Sequence, residues 1–542
     1  MLLALLLAVG PAAALAVLGL VARRLGRTEA LVLAAACAAF VLSALLSPVS
    51  YVHDHFTHFR HARVAWEDPY QLLDLWDRPA FMLLYAGPAR LGLTAARLMS
   101  VVPAAVAIAA TMLAARAAGL PRTWLAGVLV LAQYDFFGQA SSTMTELLFA
   151  AGLAVALWGF LEERPWLAAA GLAFCGVTRP EAPLVVAAGT LVLAARFRRP
   201  LLAVAVAVPF VAYVALGSAV HADLLWLVHG NPYRGMVGLR LEAGQVFHSF
   251  FYEALGDGQP LPLILLELLG AALVLREGRH RAIFLLGPVA ALWLLCTFLR
   301  IGPHDWWRQS RYLVSIAPVL ALLAARAHAA LAARSPRAAD AGLLLAAACA
   351  AAAMAAKTWR PAVLPGSPAI TALFAAALAA AALAWALRSR LPVAAAFAGL
   401  LALPLVASPP GVFAHHLPTP SERAAEELVA LLARRPAAAI AVDHGSLEQA
   451  CAALIGDPGR ACPLPLEPRS EPAPEDRVFV KQYDGTWAPP SPPAGWREVW
   501  REAGPRIEGP LRAPVAWTST TMVWERESQA GAPTPPSRRP PG

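Results

Sequence analysis

Between Leu2 and Ala407 the chain is a succession of long apolar stretches separated by short breaks that carry arginine. A spanning helix needs roughly 20 apolar residues, and inside the hydrocarbon every backbone polar group must find its partner within the protein. Together these demands leave one solution, a bundle of helices threaded through a bilayer. The chain is 58% hydrophobic and 15% charged, against about 25% charged in an ordinary soluble domain. The formal charge of +9 does not indicate nucleic acid as a partner, because the arginines are scattered among short loops and not gathered on one face. Met1 runs straight into leucine and alanine with no basic segment ahead of it, so the first stretch reads as a retained helix and not a cleaved leader.

Arginine is held on the cytoplasmic side of a membrane protein, which gives the breaks a side. They fall at Arg23, Arg24 and Arg27; Arg116 and Arg122; Arg164; Arg196, Arg198 and Arg199; Arg276, Arg279 and Arg281; Arg334 and Arg337; and Arg388 and Arg390. The intervening connections then face outward: 51–94, 138–142, 178–181, 220–259, 300–311 and 357–368. The two sets interleave if about 14 helices span the membrane, with both termini outside. The expected fold is therefore an all-α polytopic membrane domain over 1–410.

From residue 411 the composition turns soluble. Ser421 precedes "ERAAEELVALLARR", with Glu422 in the first turn and Arg434 and Arg435 in the last, the charge order of a capped helix. "AAAIAVD", "RVFVKQ" and "VAWTSTTMVWER" read as strands. A small outer α/β domain is expected over 411–529, followed by a Pro-rich tail, 530–542, expected to be disordered. Cys37, Cys175, Cys296 and Cys349 sit in apolar runs, where cysteine acts as a small hydrophobe. Cys451 and Cys462 belong to the outer domain, where an oxidising compartment would let them form a disulfide.

One outward stretch breaks the aversion to charge. "SYVHDHFTHFRHARVAWEDPYQLLDLWDRPAF" (50–81) places four histidines and a series of acids beside the membrane. Asp54, flanked by His53 and His55, lies just past an apolar helix. A partly dehydrated carboxylate there can act as general base toward a hydroxyl, although an isolated acid at that position also caps a helix. Helical spacing puts Asp54, His58 and His61 on one face, which fits a surface helix and also leaves a divalent metal open as an alternative. Arg78 follows at headgroup depth, placed for a phosphate, for an acidic partner such as Asp77, or for simple snorkelling to water. Arg179, Arg234, Arg240, Arg308 and Arg311 lie outside against the positive-inside tendency, and such charges point to function. Arg308 and Arg311, three apart, could reach one phosphate; pairing with Asp305, Glu181 or Glu146 is the plainer alternative.

In order, Asp54, "DPY", "DRPAF" and "AARLMS" resemble the first external loop of polyprenyl-phosphate-sugar-dependent membrane glycosyltransferases of the GT-C fold. These include the protein O-mannosyltransferases, the aminoarabinose transferases of lipid A and the dolichyl-phosphate-mannose mannosyltransferases. "HDHF" is similar to their "PDEHF", with His55 in place of the second acid. "SSTMTELLFAAGLAVALW", "GLAFCGVTRPEAPLVV" and "HDWWRQSRYLVSIAPVLALL" extend the likeness over about the first 330 residues. The resemblance implies transfer of a sugar, a hexose such as mannose, from a polyprenyl-phosphate donor to a hydroxyl on a lipid, glycan or protein. It assigns Asp54 as base, Arg308, Arg311 and Arg78 to the donor phosphate, and His53, His55, Glu146, Arg179, Glu181 and Tyr312 to substrate. It implies a bacterial inner-membrane enzyme, its site and C-terminal domain extracytoplasmic, with no nucleic-acid partner and no cofactor beyond the metal left open above. The rival class is a transporter or lipid flippase, for which broken helices and charges near the bilayer midplane would be expected.

Overall fold

A computed structural model describes residues 2–46, 53–66, 68–230, 237–239, 261–301, 310–343, 440–442, 478–485, 491–503 and 518–526. The chain divides into two units, 1–417 and 418–542.

In the first unit, α1 (Leu2–Ala22), α2 (Arg27–Leu46), α3 (His53–Val64), α4 (Arg78–Arg90) and α5 (Leu93–Ala117) follow in order. Next come α6 (Thr123–Leu131), α7 (Tyr134–Gln139), α8 (Glu146–Leu161), α9 (Pro165–Gly176), α10 (Ala182–Phe197), α11 (Leu201–His221) and α12 (Trp226–His229). After a short strand β1 (Val237–Leu239) come α13 (Leu261–Val274), α14 (Arg279–Phe298), strand β2 (Leu299–Ile301) and α15 (Ala317–Arg334). Among the described residues, five helical segments are long and apolar enough to cross a membrane: Arg27–Leu45, Leu93–Ala117, Leu201–His221, Arg279–Cys296 and Arg311–Arg334. Shorter apolar helices stand between them. The protein is thus a helical membrane protein; the expected total of about 14 includes spans within 344–407, which lie outside the described residues.

Burial sorts these helices. The Leu93–Ala117 span is 94% buried and is the centre of the bundle, whereas Leu201–His221 is 22% buried and presents most of its surface outward. Contact between α8 and α9 depends on glycine: a Cβ at Gly171 would lie 2.5 Å from the backbone nitrogen of Ala156. Close approach of this kind is how helices gain packing where no hydrophobic effect drives them together.

The basic breaks gather at one end. Arg116 pairs with Glu29 and donates to the carbonyl of Arg24 (2.7 Å); Arg24 lies 3.7 Å from Glu162; Arg196 pairs with Glu163 (2.9 Å); Arg326 pairs with Glu277 (2.7 Å). The connections read as outward meet one another instead. Ala80 N–H donates to Val177 O (3.2 Å), Tyr213 OH donates to Asp74 O (3.0 Å), and β1 pairs antiparallel with β2 in the register Val237 to Ile301. Among the described residues the basic breaks and the intervening connections therefore make their contacts within two separate groups; the break at Arg388 and Arg390 and the connection 357–368 lie outside the described residues.

The stretch 51–94, read as one external loop, is more structured than that. Its second half is α4, whose Phe81, Met82 and Tyr85 are fully buried. Thirteen residues at 1.5 Å each reach about 20 Å, short of a crossing. It packs against α1, where a Cβ at Gly10 would collide with the carbonyl oxygen of Leu83.

The second unit contains a four-stranded sheet of β3 (Ile440–Val442), β4 (Val478–Gly485), β5 (Trp496–Ala503) and β6 (Thr518–Arg526), in the order β3-β4-β6-β5. The β3–β4 pair is parallel, the others antiparallel. Three of these strands coincide with those read from the sequence. β5 adds a fourth, its bulge at Glu498 and Trp500 obscuring the period-2 pattern. The helix expected after Ser421 lies outside the described residues.

Candidate functional site: a buried polar hub at one end of the bundle

The segment from Ser141 to Glu146 joins the outward connections to one another. The Ser141 hydroxyl meets that of Ser43 on α2 (2.9 Å), and Arg97 on α5 donates through Nε to Ser141 O (2.9 Å) and through Nη2 to Ser43 O (3.3 Å). Ser100 donates to Ser142 O and accepts from Tyr85 OH (2.9 Å). Thr143 holds α3: its N–H donates to His55 Nδ1 and its hydroxyl to His55 O, both at 2.7 Å. Nδ1 thereby accepts, which fixes His55 as a neutral ring carrying its proton on Nε2. Burial, aided by the charges of Arg97 and His58, holds the His55 pKa well below its ordinary value.

Two residues further on, Thr145 accepts from Arg179 Nη1 (2.8 Å). Arg179 pairs with Glu146 (2.9 Å) and with Glu181, and Arg311 lies 3.8 Å from Glu146. The guanidinium carbons of Arg179 and Arg311 lie 5.2 and 5.3 Å from the centre of the Tyr312 ring, within cation–π range. Burial alone would make Arg179 easier to deprotonate, but Glu146 and Glu181 outweigh it and hold the group firmly charged. Five residues singled out in the sequence, Glu146, Arg179, Glu181, Arg311 and Tyr312, are thus brought into one cluster. Pairing, one of the two readings open for Arg179, is what the structure shows: two guanidinium groups face two carboxylates, so its charge is committed to its neighbours.

Arg78 is different. The residue is 7% exposed, so it does not snorkel to water. Its backbone sits at φ 64°, in the left-handed region, at a cost of about 1 kcal/mol or more for a residue other than glycine. Its guanidinium lies 5.4 Å from the centre of the Tyr213 ring, and among the described residues no carboxylate pairs with it. Ala80 fixes the start of α4 beside the 177–181 turn, which puts Arg78 on the hub's side of the protein. Trp226, stacked on His221 and edge-on to Tyr213, backs the ring that Arg78 covers.

Asp77, at the N-terminal boundary of α4, is fully buried and receives His58 Nδ1 on one oxygen and His61 Nδ1 on the other. Burial by itself would raise this carboxyl, but the two imidazoles hold it below the usual carboxylate range. The shared face of His58 and His61 expected from their spacing is therefore present, and its partner is an acid that spacing could not identify. For His53 and Asp54 the description covers the backbone alone, at the start of α3. Arg308, Arg234 and Arg240, and the cysteines Cys451 and Cys462, lie outside the described residues. Ser43, Arg97, Thr143 and Thr145 were not named as site residues, although Arg97 lies in "AARLMS" and Thr143 and Thr145 in "SSTMTELLFAAGLAVALW"; for Ser43 the signal was polarity inside an otherwise apolar run.

No known protein family and no curated protein sequence matches the chain. Its fold does match solved structures. Against ArnT from Cupriavidus metallidurans in the apo state the TM-score is 0.55 at 18% identity, covering 78% of this chain and 83% of that one. Against the same protein bound to undecaprenyl phosphate it is 0.53 at 17% identity, with 78% and 84% covered. The chain therefore shares the fold of ArnT, a fold expected from the sequence.

Proposed function

We propose that this protein is a membrane glycosyltransferase that moves a sugar from a polyprenyl-phosphate donor to an acceptor hydroxyl at the hub end of the bundle. Asp54 takes the proton of the acceptor hydroxyl as that oxygen attacks the anomeric carbon. The bond from the anomeric carbon to the donor phosphate oxygen breaks, the configuration inverts, and polyprenyl phosphate leaves with the electron pair. Arg78, with Arg308 and Arg311, neutralises the charge that grows on that phosphate. His53 and His55 orient Asp54 or hold sugar hydroxyls, and Glu146, Arg179, Glu181 and Tyr312 shape the substrate side. The sugar is a hexose, with mannose the first to test, and the acceptor a lipid, glycan or protein. Hub and outer domain face the outside of a bacterial inner membrane.

The observation that carries this reading is Arg78. A buried guanidinium without an acid to pair with is costly, and strain at such a residue is retained where a bound group makes use of it. The phosphodiester of the donor, and the phosphate monoester it becomes on leaving, supply the missing anion in the bidentate geometry a guanidinium favours. The likeness to a fold solved with undecaprenyl phosphate bound supports the same class of donor. The link from hub to base is Thr143, which ties His55, next to Asp54 in α3, to the strand of residues leading to Glu146.

The test is transfer from a polyprenyl-phosphate hexose by purified protein. Since a general base contributes about 10²–10⁴-fold, Asp54→Asn should lose at least about a hundredfold while inserting and eluting as the parent does. Retained turnover would remove Asp54 from the base role.

A further inference from the structure

From the side chains that surround Asp77 we propose that this protein binds a divalent transition-metal ion, with zinc the best fit, through His61, Asp74 and Asp77. Each of these residues offers one ligand atom, and the three atoms lie within 4.8 Å of one another. At zinc bond lengths of about 2.0–2.2 Å, tetrahedral ligands stand about 3.4 Å apart, so small side-chain shifts close the site. One imidazole nitrogen with two carboxylate oxygens is a donor set for zinc or manganese, whereas calcium and magnesium favour oxygen alone.

The surroundings favour a cation. Asp74 and Asp77 are three residues apart, and among the described residues neither has an arginine or lysine as an ion-pair partner. Asp74 is held rigidly: one of its oxygens accepts the N–H groups of Trp76 and Asp77, both at 2.7 Å, which leaves the other for a ligand. His58 occupies the remaining oxygen of Asp77 and acts as the outer hydrogen-bond partner that orients a metal-binding carboxylate. The His61 side chain is 28% exposed while Asp77 is fully buried, so the site has a closed floor and an open mouth through which an ion and water can enter.

The position gives the ion a purpose. His61 belongs to α3, the helix that starts at His53 and Asp54, and Asp77 immediately precedes Arg78. An ion bridging them pins the helix of the proposed base to the backbone of the proposed phosphate ligand. Binding itself does not depend on sugar transfer, so the two readings can fail separately.

The experiment uses full-length protein in detergent, stripped with a chelator and then offered zinc. Expected are about one zinc retained per chain after desalting and a rise of several degrees in the unfolding temperature. Asp74→Asn keeps the oxygen that caps Trp76 and Asp77, so its metal-free unfolding temperature should match the parent's; it should neither retain zinc nor respond to it. His61→Gln should likewise neither retain zinc nor respond to it, with a lower metal-free unfolding temperature because Asp77 loses one of its two imidazole partners. Asp223→Asn, which removes an exposed aspartate–histidine pair elsewhere (2.7 Å to His229), should retain zinc as the parent does. X-ray absorption of the zinc-loaded parent should show a nitrogen and oxygen shell with one imidazole. Absence of zinc from the parent, a first shell without imidazole, or equal retention by Asp74→Asn and His61→Gln would each overturn the proposal.

Discussion

Replacing Arg179 by methionine tests the hub where its energetics are largest. The side chains of Arg179, Glu146 and Glu181 are 7%, 1% and 3% exposed, so water cannot take over when the guanidinium is removed. Glu181 then loses its charged partner, and Glu146 keeps Arg311 alone, at 3.8 Å. Breaking a buried pair by removing one partner costs about 3–5 kcal/mol, because a charge is left without compensation. The loss of the Thr145 hydrogen bond adds about 1 kcal/mol. Against a native stability of about 5–15 kcal/mol, Arg179→Met should greatly reduce the fraction of protein that survives mild heating in detergent, read as the monodisperse peak on size exclusion. Glu181→Gln on the Arg179→Met background should recover part of the loss, since it removes the stranded charge; the non-additivity measures the pair. If Arg179→Met melts within about a degree of the parent, or if Glu181→Gln adds to the damage as an independent lesion, the cluster is not the buried, mutually neutralised group described above.

Two other expectations follow from the same contacts. Gly171→Ala sets a methyl group 2.5 Å from the Ala156 backbone nitrogen and should cost about 1–3 kcal/mol by forcing α8 and α9 apart, read as a lower unfolding temperature. His55, whose folded pKa lies well below 6.5, takes up its proton on unfolding. The stability it contributes is complete above the unfolded value, about 6.5, and declines as pH falls below it, because the unfolded state then binds the extra proton. Unfolding temperatures at pH 7.5 and 5.0 should therefore differ less in His55→Gln than in the parent.

How much of this was legible in the sequence depends on the range of the physics involved. The basic breaks are a property of each connection alone, so a division into two ends could be read from their alternation with the intervening connections. The gathering of Glu146, Arg179, Glu181, Arg311 and Tyr312 followed from that alternation, since residues on one end of a bundle are candidates to meet. Which of them would pair was not legible: Arg179 and Glu146 are joined by helix packing, and the close approach that sets their distance depends on glycines such as Gly171. α4 was read as loop because hydropathy windows are tuned to a full crossing, and a buried helix of thirteen residues falls below them. Asp77 stood in the quoted stretch beside Arg78, yet its bonds to His58 and His61 needed the fold of the intervening chain. Arg78 shows the same limit most clearly. In sequence it was one arginine at headgroup depth; its burial, its left-handed backbone and, among the described residues, its lack of an acidic partner belong to the tertiary structure.

The binding place of a polyprenyl phosphate is measured by a cryo-electron-microscopy structure of the protein with that lipid. The phosphate should lie within hydrogen-bonding distance of the Arg78 guanidinium, with Arg308 and Arg311 close by and the Asp54 carboxylate facing the position of the anomeric carbon. A phosphate found at the opposite end, in the cavity of about 280 Å³ lined by Glu163, Arg196, Glu277 and Arg279, would contradict it.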